Sequence, residues 1–417
     1  MSDYQSQKRQ FLVILTIVFL GFIGISMPYL IFPSLFLNPS YSILPDNWGE
    51  ASRALFLGIT LAAYPIGQFI GSPILGALSD EYGRKKLLTG SLIITGVCNL
   101  FTGYAIAKQY LALLIISRLI TGVMEGNIAI ARAMAADFKL LPKHKTFGRI
   151  NAVTSIAYLI GPLFGASLAD TCIWEGLTAS TPFFFICILF LFLAALSSIV
   201  LKKSVPSPSM QKRTFLQRIN FIKSMSVLFT NRELKSLMIV STLFTLAIDI
   251  FYEFGPVYLT VKWNLVPSQL ISYNAVLCLA LAIGNGWLPT FFSTRSTNRI
   301  LITSGICAFA LCVAGSISVN SPYLMLFLFA VCGLAIGLSM TLITVMISDS
   351  VLDSKQGEVM GTQLSLRVLG DGLICLFGGA LLILSSKLIL IISSIMALVA
   401  LAYYRFLGKG PRHADLS

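Results

Sequence analysis

The chain has 417 residues, of which 56% are apolar and only 11% are charged. Soluble proteins average about 25% charged residues, so this composition excludes an ordinary soluble domain. The net charge of +13 would suit a nucleic-acid-binding protein. However, the basic residues fall in every second loop between long apolar segments, which excludes nucleic acid as a partner and favours a lipid bilayer.

Apolar segments of about 20 residues or more recur along the chain, each long enough to cross a hydrocarbon core as a helix. The first of them lacks a small-residue cleavage site, so we expect a transmembrane helix there rather than a removed signal peptide. The sequence predicts an all-α membrane protein with twelve spans, numbered in chain order: 10–36, 53–79, 87–107, 110–137, 147–170, 181–201, 234–261, 268–292, 299–318, 322–348, 357–383 and 387–406.

The 30 lysine and arginine residues are distributed unequally between the two sides of this arrangement. Most of them lie in segments on the same side as the two termini. Because basic loops stay in the cytoplasm, we expect both termini to be cytoplasmic, in the inner (plasma) membrane. The exceptions are four residues on the outer side and three within spans: Arg53, Lys108, Lys262 and Lys387, and Arg118, Arg132 and Arg367.

The longest break between spans, 202–233, is basic and contains the stretch Ser-Val-Pro-Ser-Pro-Ser. It divides the chain into an N-terminal six-helix bundle, 1–201, and a C-terminal six-helix bundle with a short cytoplasmic tail, 234–417. Two interpretations of the break stay open, a helix on the inner membrane surface and a disordered basic linker. The first rests on apolar residues at helical spacing: Phe215, Ile219, Ile222 and Met225.

The loop between spans 2 and 3 carries the most specific pattern in the chain. It reads Gly76-Ala-Leu-Ser-Asp80-Glu-Tyr-Gly83-Arg84-Lys-Lys. This resembles the signature Gly-x-Leu-x-Asp-x-x-Gly-Arg-Lys/Arg, which follows helix 2 in the major facilitator superfamily. The resemblance implies two six-helix bundles with pseudo-two-fold symmetry and no cofactor. It also implies a gating role for Gly76, Asp80, Gly83 and Arg84, in which the loop latches the outward-facing state by charge contacts.

Span 4 resembles the same family through its motif Arg-x-x-x-Gly, met by Arg118 and Gly122. Glu125 is two turns further on and faces the same way. Buried ions cost several kcal/mol unless they are paired or hydrated, so we expect this stripe, with Asn127, to face a central cavity. Glu125 is the better proton carrier because arginine does not deprotonate. A purely structural ion pair between Arg118 and Glu125 is the alternative.

Span 5 carries Gly161-Pro162-Leu-Phe-Gly165-Ala166. This resembles the Gly-Pro-x-x-Gly-Gly motif typical of drug/proton antiporters, with Ala166 in place of the last glycine. The alternative is an ordinary packing seam of small residues. Tetracycline-type exporters in this branch carry an aspartate in helix 1, and span 1 has no charged residue, which argues against tetracycline as the substrate.

In the second half, Asp249 and Glu253 are four residues apart on span 7, as are Arg367 and Asp371 on span 11. Arg367 can pair across the cavity with Asp249 or Glu253, or locally with Asp371. The sequence does not distinguish between these pairings. The two acidic residues of span 7 could also simply be hydrated. The only histidines, His144 and His413, lie in cytoplasmic segments. A coupling proton is therefore expected on a carboxylate: Glu125, Asp249, Glu253 or Asp371.

Together these features predict a proton-coupled secondary transporter that moves a small molecule by alternating access, with efflux of a drug or metabolite favoured. Arg118 and Arg367, the substrate-cavity candidates with Asn127, leave import or export of an anionic siderophore or other carboxylate open. A non-transporting sensor or assembly partner is the alternative from another class. We expect a monomer that needs no metal. Nothing suggests an enzyme, because neither a nucleotide-binding loop nor a nucleophile–base constellation is present.

Overall fold

A computed structural model of the chain describes residues 2–38, 43–45, 47–136, 143–170, 175–202, 232–293, 295–350 and 356–406. Within these residues all regular secondary structure is helical. A helix satisfies its own backbone hydrogen bonds, which is what an apolar segment needs inside a bilayer. The break 202–233, where a surface helix is one of two interpretations, lies almost entirely outside the described residues.

The first six spans form helices whose ends differ from the predicted ones by a few residues. Span 1 is interrupted by a 3-10 turn, Met27–Leu30, because Pro28 lacks the N–H that an α-helix needs there. The helices are Ser2–Ser26 and Ile31–Leu37 for span 1, then Glu50–Tyr82, Arg84–Ala107, Leu111–Met124 with Gly126–Ala136, Lys143–Leu168 and Thr181–Val200.

The last six spans begin after the break and follow the predicted order. Span 8 has a short interruption at Trp287, where the sequence had predicted one continuous helix. The helices are Arg232–Trp263, Pro267–Gly286 with Leu288–Ser293, Asn298–Ser318, Pro322–Asp349, Gln356–Leu384 and Ser386–Phe406.

The prediction of an all-α protein with twelve spans is confirmed. In the described part of the chain, eleven helices are long and apolar enough to cross a membrane. The twelfth is span 5, whose apolar part there is shorter, Ile156–Leu168. One detail differs, since span 4 was expected to be continuous and is interrupted at Glu125. Gly126, directly after this interruption, packs so closely on Leu75 that it has no room for a Cβ atom.

The chain forms two compact units, Met1–Ile219 with Trp263–Ile271, and Asn220–Lys262 with Ser272–Ser417. In the first unit, the closest helix pairs are spans 2 and 4, spans 3 and 6, and spans 1 and 5. In the second unit, span 9 packs mainly on spans 10 and 12. Candidate functional residues occur in both units.

Candidate functional site

In the first unit, glycines bring the backbones of spans 2 and 4 into direct contact. A Cβ atom on Gly122 would collide with the carbonyl oxygen of Tyr64, and one on Gly67 would collide with the carbonyl of Leu119. Gly71 repeats this arrangement one turn further along span 2. Small residues at a membrane helix interface allow this close approach. This close contact between spans 2 and 4 places Tyr64 beside the charged face of span 4.

Arg118, Glu125 and Tyr64 form a buried polar group in this unit. The Arg118 guanidinium lies 4.7 Å from the centre of the Tyr64 ring and 5.3 Å from that of Phe32. Cation–π contacts of this kind stabilise a cation that is removed from water. Tyr64 also interacts electrostatically with the Glu125 carboxylate. Arg118 and Glu125 are each only 6% exposed, so the predicted charged stripe is buried in the unit.

Glu125 occupies the point where the first helix of span 4 ends and the second begins. Its backbone N–H donates to the carbonyl oxygen of Gly122 at 3.0 Å, and its own carbonyl accepts from Ile128. Asn127, the other candidate on this span, is buried. The side chain of Arg132 lies outside the described residues. Tyr64 was not among the site residues predicted from the sequence, although a hydroxyl in an otherwise apolar stretch just before Pro65 was a usable signal.

The signature loop has one position where glycine is required by the backbone. Gly83 has φ +96°, a conformation that other residues rarely adopt, and it separates the helices of spans 2 and 3. Its N–H donates to the carbonyl of Ser79 at 3.0 Å. A Cβ atom on Gly76, by contrast, would meet nothing within 4 Å. Arg84 is partly buried, and the side chain of Asp80 lies outside the described residues.

The glycines of the span 5 motif face the interruption in span 1. A Cβ atom on Gly161 would collide with the hydroxyl oxygen of Ser26, and one on Gly165 would collide with the carbonyl of Met27. Ser26 donates its hydroxyl to the carbonyl of Phe22 at 2.7 Å. Pro162 lies inside the helix between the two glycines. The motif therefore forms a tight contact between spans 1 and 5 within the first unit.

In the second unit, Arg367 on span 11 binds Asp249 on span 7 with two parallel hydrogen bonds. The Nη2–Oδ1 distance is 2.9 Å and the Nε–Oδ2 distance is 3.3 Å. The structure therefore contains one of the cross-span pairings that the sequence left open. The two partners differ in environment, because the Asp249 side chain is 5% exposed and that of Arg367 is 55% exposed.

A buried thiol, that of Cys375, lies near the acidic residues of spans 7 and 11 in the same unit. The Cys375 Sγ lies 3.9 Å from Oδ1 of Asp371. The thiol also interacts electrostatically with Glu253 and Asp249. Cys375 was not among the site residues predicted from the sequence, although its place four residues after Asp371 was a usable signal. All four predicted polar residues of spans 7 and 11 thus belong to one cluster. Among the described residues, no group of His, Cys, Asp and Glu could hold a metal ion.

Residues 14–373 match the Major Facilitator Superfamily. Together with the membrane-spanning helices and the signature loop, this match identifies the class: the chain belongs to the Major Facilitator Superfamily. It is an integral membrane transporter, not an enzyme, and its substrate is a small molecule.

Relatives within the family include resistance proteins. The chain is 26% identical over 372 residues to "Tetracycline resistance protein, class H" of Pasteurella multocida, which covers 86% of this chain and 85% of that protein. It is 30% identical over 222 residues to "Multidrug resistance protein 2" of Bacillus subtilis (strain 168). That second match covers 52% of this chain and only 50% of the relative.

Solved structures of other transporters share the fold. The human organic anion transporter MFSD10 (TETRAN) has a TM-score of 0.67 at 16% identity, covering 95% of this chain and 99% of that one. An inward-facing, occupied bacterial homolog of the human lysosomal transporter Spinster has a TM-score of 0.74 at 15% identity, with 95% and 96% covered. At these identities the likeness concerns the fold alone.

Proposed function

We propose that this transporter is a secondary active carrier that couples the movement of a small molecule to protons, works by alternating access and favours efflux. The observation that carries the proposal is the burial of Glu125 beside Arg118 and Tyr64. A buried carboxylate can load and release a proton near neutral pH, and Glu125 is the carboxylate of this buried group.

The coupling follows from the charge balance of this group. With Glu125 ionised, its negative charge offsets the positive charge of Arg118, and burial is tolerated. With Glu125 protonated, this offset to the Arg118 charge is lost, which makes burial of the cation in a membrane interior less favourable. Proton binding therefore favours a different arrangement of span 4, in which Arg118 finds another anion or water. The interruption at Glu125 gives span 4 a place to bend.

The direction of transport and the class of the solute are supported by two separate observations. Relatives named for tetracycline and multidrug resistance support drug or metabolite efflux. The exposure of Arg367 supports the second candidate, import or export of an anionic siderophore or other carboxylate. A guanidinium has five N–H donors, so Arg367 can bind a carboxylate of the solute while it still holds Asp249.

The carrier is a monomer in the inner (plasma) membrane with both termini in the cytoplasm. Its N-terminal bundle, 1–201, and its C-terminal bundle, 234–417, are joined by the cytoplasmic basic linker 202–233. The signature loop latches one state through Gly76, Asp80, Gly83 and Arg84, and the cluster Asp249, Glu253 and Asp371 offers further proton sites.

The test is proton movement in proteoliposomes with an imposed pH gradient, on addition of cationic drugs or of carboxylate chelators. Proton counterflow triggered by a drug, absent from protein-free vesicles, would support the efflux proposal. A response to the anionic chelators alone would replace it with the carboxylate carrier. Solute movement that ignores the pH gradient would reject proton coupling.

A further inference from the structure

A groove of about 590 Å³ lies between spans 9 and 12 of the second unit. This volume is within the range of about 300–1,000 Å³ that is usual for small-molecule sites. None of the residues of the Arg367–Asp249 cluster lines it. The described lining residues are two arginines and five small or apolar residues: Arg299 and Arg405, and Ile300, Thr303, Ser304, Cys307 and Leu401.

The helical spacing of these residues gives the groove a polar end and an apolar wall along its length. Arg299, Thr303 and Cys307 are four residues apart, and so are Leu401 and Arg405, so each set lies along one helix face. Arg299 is in the first turn of span 9 and Arg405 in the last turn of span 12. Cys307 lies about 12 Å deeper than Arg299 along the helix axis at 1.5 Å per residue.

Arg299 and Arg405 both line the same end of the groove. Nη2 of Arg299 donates to the backbone carbonyl oxygen of Arg405 at 3.2 Å, which links the end of span 9 to the end of span 12. No acidic side chain is among the described residues that line the groove. An anion at this end of the groove would be attracted by both positive charges, and the planar fork of a guanidinium matches the oxygens of a phosphate.

We infer that this groove binds an anionic phospholipid, with the headgroup phosphate between Arg299 and Arg405. One acyl chain lies along the wall formed by Thr303, Cys307 and Leu401. Basic pockets between transmembrane helices bind anionic headgroups in this way. A soluble phosphate would use only the arginines and would leave the apolar length of the groove unfilled, which is why the occupant is a lipid.

The test is a native mass spectrometry titration of the full-length protein in detergent with phosphatidylglycerol and, separately, with phosphatidylcholine. Wild type should bind one phosphatidylglycerol in clear preference to phosphatidylcholine. The double variant Arg299→Gln, Arg405→Gln should bind phosphatidylglycerol at least five-fold more weakly. The matched control is Arg295→Gln, because Arg295 is an exposed arginine near the same end of span 9 that stacks on Phe291 outside the groove.

A second variant tests the apolar length separately. Ser304 is exposed in the groove, so Ser304→Phe should fill it and weaken phosphatidylglycerol binding although both arginines remain. Unchanged binding by the double variant would overturn the site. Unchanged binding by Ser304→Phe, together with displacement of the lipid by inorganic phosphate, would overturn the lipid and leave a soluble-anion site. Equal unfolding temperatures of the lipid-free variants show that each comparison is between folded proteins.

Discussion

Glu125 is the residue on which the proposed coupling depends, and its replacement by glutamine separates charge from shape. Glutamine keeps the size of the side chain but cannot carry a transferable proton. We expect Glu125→Gln to abolish solute-triggered proton movement in proteoliposomes while the protein remains folded. The control is Glu50→Gln, at the exposed start of the span 2 helix, which should transport normally. Full coupled transport by Glu125→Gln would reject this residue as the proton carrier.

The pair Arg367–Asp249 predicts an asymmetry between its two single variants. Arg367→Gln leaves a buried carboxylate without this cation, whereas Asp249→Asn leaves a guanidinium that is half exposed and can be hydrated. Breaking a buried pair costs about 3–5 kcal/mol, and exposure of one partner lowers this. We therefore expect Arg367→Gln to destabilise the protein by about 2 kcal/mol and Asp249→Asn by less than half of that.

Thermal unfolding in detergent measures this asymmetry, and the double variant serves as its control. With both charges removed, no buried carboxylate is left unpaired, so the double variant should be more stable than Arg367→Gln alone. If Asp249→Asn destabilised the protein more than Arg367→Gln, the burial of Asp249 would not explain the stability contribution of the pair.

At the level of helices, the contact between spans 1 and 5 should be intolerant of a single methyl group. In Gly165→Ala the new Cβ atom would collide with the Met27 carbonyl, which belongs to the backbone and cannot rotate away. Overpacking of this kind costs about 1–3 kcal/mol. Gly90→Ala is the matched control on span 3, because a Cβ atom there meets nothing within 4 Å. It should leave the unfolding temperature unchanged or raise it, and equal losses in both variants would contradict the packing argument.

The signature loop offers a second comparison between two glycines of one element. Gly83→Ala forces a side chain into a positive-φ conformation and should cost about 1–2 kcal/mol of stability. Gly76→Ala should cost none, because its Cβ atom has free space. If the loop gates transport because Gly76 packs more closely on a neighbouring helix in another state, Gly76→Ala will lower the transport rate. The unfolding temperature will stay unchanged. A normal rate would remove Gly76 from the gate.

For the whole molecule, the sequence predicts what the bilayer dictates and leaves open what helix contacts decide. Span number and order follow from apolar length, since a lipid-exposed helix must be long and uncharged. The interruption at Glu125 lies next to the close contact of Gly126 with Leu75, a contact between two spans that no local sequence pattern records. The choice of Asp249 as a partner of Arg367 is equally non-local, because the two residues are 118 positions apart.

Orientation is the whole-molecule property that the charge pattern predicts, and reporter fusions can measure it. The outer side holds few basic residues among the 30 of the chain, and translocating a basic loop is unfavourable. We expect green fluorescent protein fused after Ser417 to fluoresce in a bacterial host, because it folds in the cytoplasm. Alkaline phosphatase fused after Lys108, between spans 3 and 4, should be active because it is exported.

Exchanging the two reporters provides the control, since each should then be silent at the other's position. This result requires that the charge bias and the number of spans place the C-terminus on the same side of the membrane. An even number of spans returns the C-terminus to the side of the N-terminus, and an odd number does not. An active phosphatase after Ser417 together with an active one after Lys108 would therefore mean that one predicted span downstream of Lys108 does not cross the membrane. Span 5 would be the first to re-examine, because its apolar part in the described residues, Ile156–Leu168, is shorter than each of the eleven candidate membrane helices.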